Sequence, residues 1–336
     1  TVVVMMKGMP FEVTTFRTDG RYIDGRRPTS VTFSSVEEDV QRRDFTINGL
    51  LLDPVRGQVI DYVGGLADLE NRLLRTIGNP FDRFGEDRLR MMRAVRFSAR
   101  YLFTPEKQML EAIQQMAPRI VEVSMERIQQ ELQKILVGKH PGMGMQLMVE
   151  TGLLEHFAPE LKDDHHIVRR MELLQSSEKW SEDLALALLY AEYQPAKRVE
   201  KQLHRLKFPN QSSKGATEIV AAWSILQKYL SFGTPERKRF LRHPQIQDQL
   251  QFADILVQLG APFSEPLEVA RRDLAGWGDD ELSPQKLLNG NDLMSLGYKA
   301  GRQLGQMLRS LEDAQLEGTI TSLEEAHSWL SQQYPL

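Results

Sequence analysis

Two charged blocks about forty positions apart hold the residue types that bind a nucleoside triphosphate. The first is Arg-Arg-Asp-Phe-Thr-Ile-Asn, from Arg42 to Asn48; the second runs from Glu86 to Phe97 and contains four arginines and two acids in close order. Guanidinium forks match phosphate oxygens two at a time, and a carboxylate accepts from a sugar hydroxyl or a base amine. In the second block Asp87, Arg90, Arg93 and Arg96 recur every three residues. On a helix each is then the neighbour of the next and the four form one polar ridge, with Leu89, Met92, Val95 and Phe97 facing the core. Spacing alone does not decide the matter, because a charged ridge is as a rule a solvated helix face.

The elements that must position these blocks change character near residue 80. Thr1 to Met6, the connection Lys7-Gly8, and Pro10 to Phe16 read as a β-hairpin, since β-branched and aromatic residues alternate on either side of a short Gly-containing turn. Thr46 to Pro54 and Gln58 to Val63 read as two further strands, joined where turn residues cluster at Asp53-Pro54 and Arg56-Gly57. From Arg83 onward the periodicity is helical. Met125, Ile128, Leu132 and Ile135 share one face, and Leu184 to Tyr190 lies inside a strongly apolar run. Pro and Gly at 138–141, 195, 209, 233–235, 260–262 and 283–284 cut this half into a series of helices. No internal repeat or low-complexity tract interrupts it.

Composition narrows the function classes. At 336 residues the chain has room for two or three packing units. With no cysteine it has neither disulfides nor thiolate metal ligands, which fits a reducing cytoplasm. No apolar run reaches the eighteen or so residues that cross a bilayer, so no membrane partner is expected. The net charge is −4 and unevenly spread: up to Lys139 there are 21 Lys and Arg against 19 Asp and Glu, and beyond it 21 against 27. A nucleic acid would therefore be held by local patches.

Four stretches, Phe11 to Pro28, Glu37 to Pro54, Ile60 to Pro80 and Arg83 to Arg100, agree in wording and spacing with one family. The chain resembles the class II tRNA nucleotidyltransferases and bacterial poly(A) polymerases, closely over about the first 140 residues. The likeness is looser through Glu150 to Leu161 and Val199 to Asn210. The expected fold is α+β: a small nucleotidyltransferase α/β head, with a mixed sheet and helices, followed by an extended all-α body and tail. Expected boundaries are the later part of the head at 1–80, neck helices that read the nucleotide at 81–140, a degenerate phosphohydrolase-like body at 141–260, and a tRNA-contacting tail at 261–336.

The resemblance also implies roles. Arg43 meets the incoming nucleotide, with Asp44 and Asn48 shaping the ribose and phosphate side. Asp87 and Arg90 act as a protein template that hydrogen-bonds the base edges of CTP or ATP. Arg93 and Arg96 reach the triphosphate, and Glu86 orients the arginines. The polar, Gly-rich stretch from Arg17 to Pro28 resembles a flexible loop that switches addition from C to A, with Arg21 and Asp24 as its charged members.

In this family a Gly-Gly-x-x-Arg-Asp turn and an Asp-x-Asp pair supply the phosphate cradle and ligands for two Mg²⁺ ions, the arrangement that two-metal nucleotidyl transfer requires. Neither motif precedes Phe11, which leaves Glu12 as the catalytic and metal-ligating candidate and the chain, as given, incomplete for catalysis. In the body, Asp163, Asp164, His165 and His166 look like metal ligands, but adjacent histidines on a helix point about 100° apart and rarely share an ion. The family's His-Asp pair is replaced by Ala191-Glu192.

RNA contact is expected from Lys197, Arg198, Lys201, Arg205 and Lys207, and from Arg237, Lys238, Arg239 and Arg242. The activity implied is template-independent addition of C and A, or A alone, to the 3′ end of tRNA from CTP and ATP in the cytoplasm, by a monomer or dimer. A poly(A) polymerase is the neighbouring alternative, and a non-catalytic RNA-binding protein the alternative of another class.

Overall fold

A computed structural model describes residues 2–19, 30–192 and 195–335. The chain divides into two compact units, Thr1–Ala216 and Thr217–Leu336.

The first unit opens with the expected hairpin, β1 (Val2–Met6) against antiparallel β2 (Met9–Val13), in the register Val3 to Glu12. Lys7 and Gly8 both take positive φ, 49° and 78°, which gives the turn the right-handed twist that suits a two-residue hairpin. Both faces of this ribbon are exposed. A second antiparallel pair, β3 (Arg17–Asp19) with β4 (Val31–Phe33), leads into α1 (Val36–Gln41). Ser35 caps that helix in a reciprocal capping box with Glu38.

The strands expected after the first block form β5 (Leu51–Asp53) and β6 (Gln58–Ile60), while Thr46 to Asn48 is a short 3-10 turn rather than strand. After α2 (Gly65–Glu70), β7 (Leu73–Leu74) runs parallel to β8 (Thr104–Pro105). The head expected to combine a sheet with helices does so, and among the described residues its strands make four separate two-stranded ladders.

Helix α3 (Pro80–Glu86) starts on Asn79, whose side chain accepts from the Phe81 amide at 2.9 Å, with Pro80 at the first helical position. It stops at Asp87, where the backbone becomes extended (φ −146°, ψ 108°), and α4 (Leu89–Tyr101) begins two residues on. The helices that follow are α5 (Lys107–Met116), α6 (Met125–Leu136) and α7 (Pro141–Glu150). Met91, Met92, Ala94, Val95 and Ala99 of α4 are buried, and the helix packs on α6 and α7. At Gly144 in α7 a Cβ would sit 2.4 Å from Ile135 Cγ2 and 3.5 Å from the Ala99 Cβ, so glycine is what lets α7 lie this close to α6 and α4.

Four further helices, α8 (Leu153–Phe157), α9 (Ile167–Gln175), α10 (Glu182–Leu189) and α11 (Lys197–Arg205), complete the first unit, and the chain leaves it within α12 (Asn210–Leu226).

The second unit is all helical: α13 (Thr234–Leu241), α14 (Ile246–Gln258), α15 (Ser264–Gly276), α16 (Asp279–Leu282), α17 (Gly290–Ser295), α18 (Arg302–Glu317) and α19 (Leu323–Gln333). One core joins residues from Ala222 to Leu282 and a second joins Leu288 to Leu330. The boundary expected at 260–261 therefore falls inside a core. Gly260 (φ 96°) ends α14, but Leu267 and Ala270 of α15 pack back against Leu250 and Ala253.

Candidate nucleotide and RNA site

The first charged block is held by an acid that sequence reasoning passed over. Asp39, on the buried side of α1, accepts from the Arg42 side chain at 2.6 and 3.1 Å, from Arg43 at 3.3 and 3.4 Å and from the Arg17 amide at 3.1 Å. Burial pushes its carboxyl up, but the Arg42 hydrogen bond, the Arg17 amide, the Arg42 charge and Arg43 together hold it below its ordinary value. The spacing Asp39-x-x-Arg42-Arg43 on a helix was the available signal, since i,i+3 and i,i+4 partners face one another.

Arg43 also donates to the Asn48 carbonyl at 2.9 Å. The chain is then stitched to residues 75–77: the Thr46 amide donates to Arg75 O and the Ile77 amide to Asp44 O. Beneath it, the Thr46 hydroxyl donates to Asp68 at 2.6 Å, and Arg75 grips the same carboxylate with two bonds of 3.0 Å.

The second block meets the first through two arginines of α4. Arg93 donates to Asp44 Oδ2 from Nε at 2.8 Å and from Nη2 at 2.5 Å. Arg90 donates from Nη2 to the Arg42 carbonyl at 3.0 Å, and from Nη1 to Arg83 O at 3.0 Å and Glu86 at 2.5 Å. Arg83 holds Glu86 from the other side at 3.0 and 3.1 Å. Asp87 accepts from the Leu89 amide at 3.1 Å and from Arg127 of α6 at 2.8 Å. Nothing local in the sequence announces Arg127, which lies forty residues away.

Several expectations are corrected by this geometry. The continuous ridge is broken, because the helix is interrupted between Glu86 and Leu89 and Asp87 sits in the gap. Arg96 takes a different partner from Arg93. Its guanidinium is buried against Glu131 of α6 at 2.5 Å and over the Phe97 ring at 4.1 Å. Asp44 and Asn48 bond each other at 2.9 Å, and Asp44 also accepts from its own neighbour's amide and from Arg93. Glu12 is exposed on β2 opposite Val3, and among the described residues no three His, Cys, Asp or Glu side chains stand where they could share a metal ion. A two-cation centre does not fit the described residues. Arg21 and Asp24 lie outside the described residues.

The basic residues expected to hold RNA divide into two sets. Lys197, Arg198 and Lys201 are exposed along α11, whereas Arg205 is drawn to both oxygens of Glu160 at 2.6 and 2.7 Å and to Phe157 O. Lys207 lies 3.9 Å from Glu126. In the second unit Arg237 bonds Asp273, Lys238 donates to Leu316 O at 2.9 Å from a buried position, Arg239 pairs with Glu312 and Asp313, and Arg242 pairs with Glu312. That run pins α13 to α15 and α18 instead of presenting a basic face. In the body, Arg170 occupies the space between Asp164 and Glu192, bonded to both and to Leu188 O, and His166 contacts Glu192 at 3.0 Å.

Six guanidinium groups (Arg42, Arg43, Arg83, Arg90, Arg93, Arg127) thus surround four carboxylates (Asp39, Asp44, Glu86, Asp87), leaving a local excess of positive charge. Each of Arg43, Arg90 and Arg93 is tethered and retains donors. Arg90, with five N–H groups, keeps its Nε–H and one Nη2 hydrogen uncommitted among the described residues. An anion with several oxygens and a polar planar group is the ligand such a surface accommodates.

Fold and site define a nucleotidyltransferase of the polymerase A type. Residues 1–75 match the family described as the poly A polymerase head domain, and residues 102–164 match that described as the probable RNA and SrmB-binding site of polymerase A. The CCA-adding enzyme of Streptococcus sanguinis is 34% identical over 99% of this chain and 82% of its own length. The crystal structure of the Bacillus stearothermophilus CCA-adding enzyme in complex with CTP superposes with a TM-score of 0.77 at 30% identity, covering 98% of this chain and 80% of that one. The Thermotoga maritima CCA-adding enzyme complexed with tRNA shares the fold, with a TM-score of 0.64 at 21% identity over 89% of this chain and 74% of that one. The chain belongs to the tRNA nucleotidyltransferase family of the CCA-adding enzymes. Among the described residues no helix is long and apolar enough to cross a membrane.

Proposed function

We propose that this chain selects CTP and ATP for template-independent addition to the 3′ end of tRNA in the cytoplasm, with release of pyrophosphate. The observation that carries the reading is the convergence of the two charged blocks, made by the Arg93–Asp44 pair and by Arg90 reaching the Arg42 carbonyl. In this reading Arg43 and Arg93 meet phosphate oxygens common to all nucleotides. Asp87 accepts from the exocyclic amine that C and A share, while the free donors of Arg90 address the neighbouring ring acceptor. U and G present the opposite pattern and would leave buried polar groups unpaired, at a cost of roughly 1–3 kcal/mol each. Arg127 fixes the Asp87 carboxylate and Glu86 fixes Arg90, so the template is set before the base arrives.

Divalent Mg²⁺ belongs to this reading as the family's usual means of activating the transfer. Glu12 alone makes no site, so the chemistry assigned to the described residues is binding and selection. The names of the relatives favour CCA addition over poly(A) synthesis, and binding of CTP alongside ATP separates the two.

The test is equilibrium binding of all four nucleoside triphosphates to the wild type and to Asp87→Ala. The variant should lose most of its preference for CTP and ATP while retaining triphosphate affinity. An equal loss for all four nucleotides would show that Asp87 supports the fold of the site and does not read the base.

A further inference from the structure

A second cationic feature lies on the same unit, outside the nucleotide site. The C-terminal end of α4, the end of α6 and the connection into α7 enclose a cavity of about 500 Å³ lined by Arg96, Arg100, Tyr101, Lys134, Lys139 and His140 among others. Two of its cations, Arg96 and Lys134, share the single carboxylate of Glu131. Arg100 and Lys139 are exposed and have no carboxylate partner among the described residues. His140 Nδ1 is buried there with no hydrogen-bond partner. It stands just before the first residue of α7, where a helix carries its positive end. The cavity is thus a concave surface with uncompensated positive charge and an unsatisfied ring nitrogen.

An aromatic ladder leads into it. Phe97 and Tyr101 stack at 6.1 Å with 7° between their planes, Arg93 lies 5.4 Å above the Phe97 ring, and Arg100 lies 5.4 Å above Tyr101. Tyr101 keeps 44% of its surface exposed at the lip. Arg93 and Arg100, seven residues apart, share a face of α4 and are separated by about 10 Å along its axis. The ladder therefore runs from the arginine that meets Asp44 directly to the cavity.

Cations that follow a backbone, interleaved with aromatic faces, are the features by which proteins hold single-stranded nucleic acid. A cavity of this volume lies in the range that encloses one small molecule, so it admits a nucleotide and not a duplex. We propose that this cavity holds the single-stranded segment that leads to the 3′ end of the RNA substrate, with Arg100 and Lys139 pairing with backbone phosphates and Tyr101 offering its ring to a base. The proposal rests on the functional reading above. The site draws on Arg100 and Tyr101 of α4 as well as on Lys139, and its occupant is an unpaired strand.

The test follows a dye-labelled single-stranded RNA oligonucleotide by fluorescence anisotropy across a salt series, with CTP binding measured in parallel on the same samples. Arg100→Glu with Lys139→Glu should weaken RNA binding at least tenfold. It should also make the log-affinity against log-salt slope shallower by about 1.4, the sum for two single-strand phosphate contacts. CTP binding should not change. Tyr101→Ala should lose about fivefold or more, the lower bound for one base stacked on an aromatic ring, and Tyr101→Phe should recover it. Should the charge reversal also abolish CTP binding, the fold has been disturbed, and Arg100→Gln with Lys139→Gln removes the same charges with the same expectation.

Wild-type affinity and slope in these variants would overturn the cavity assignment while leaving the nucleotide reading intact. A duplex of the same sequence binding as tightly as the single strand would overturn it as well. Failure of the wild type to bind either CTP or RNA would bring down the functional reading and this proposal with it.

Discussion

Arg96 is the residue for which sequence and structure disagree most, and its ion pair yields a quantitative test. Its side chain is 10% exposed and that of Glu131 is 4% exposed, with 2.5 Å between the charged atoms. Removing one partner of a buried pair leaves an uncompensated charge and costs about 3–5 kcal/mol, whereas replacing both by apolar residues of similar volume is often neutral. The two single variants should not be equal. Glu131→Leu strands the Arg96 guanidinium against only the Phe97 ring. Arg96→Met leaves Glu131 still bonded to Lys134 at 3.0 Å. Glu131→Leu should therefore fall near the upper end of that range and Arg96→Met at or below the lower end.

For a unit of this size each kcal/mol lowers the melting temperature by about 2–4 °C, so the worst single variant should lose roughly 10–20 °C. The double variant should recover most of that loss. Burial pushes the Glu131 carboxyl up, but the Lys134 hydrogen bond and the Arg96 charge and hydrogen bond outweigh it and hold it below its ordinary value of 4.5. A depressed carboxyl contributes stability above its unfolded value and loses it as pH falls through the folded one. The gap between wild type and Glu131→Gln should then be full at neutral pH and close progressively below about pH 4.5. Scanning calorimetry over pH 3–8, with CTP binding as control, measures both quantities. An Arg96→Met protein of wild-type stability with weakened CTP binding would refute this reasoning and restore Arg96 to the triphosphate.

Two shorter tests address other parts of the fold. At Gly65 a Cβ would stand 2.3 Å from the Thr46 carbonyl oxygen, so Gly65→Ala must push apart the turn and the Thr46–Asp68–Arg75 network. A loss of roughly 1–3 kcal/mol in urea denaturation is expected, and an unchanged midpoint would show that the backbone yields freely. Arg239, bonded to Glu312 and Asp313, should on mutation to Ala lower the melting temperature of the protein while leaving the salt dependence of RNA binding as it was. A shallower slope would return it to the RNA surface.

The sequence by itself determined the local elements and the chemistry of the blocks. Alternation and the Lys7-Gly8 turn specified the hairpin, the apolar spacing of α4 and α6 specified which faces are buried, and the wording of the Arg42 and Glu86 blocks specified the family. These are short-range properties, set by a side-chain period of two or 3.6 and by turn geometry. What the sequence could not decide was which arginine faces a ligand and which a carboxylate. Arg93 and Arg96 are alike in sequence and three residues apart, yet one reaches Asp44 and the other Glu131, because the interruption at Asp87 and the packing of α6 against α4 set the partners. Arg127 and Glu131 come from a helix more than thirty positions away, and α13 spends its basic run on α18 for the same reason. Charge pairing across helices depends on the register of packed cores, which emerges only when the tertiary structure is assembled.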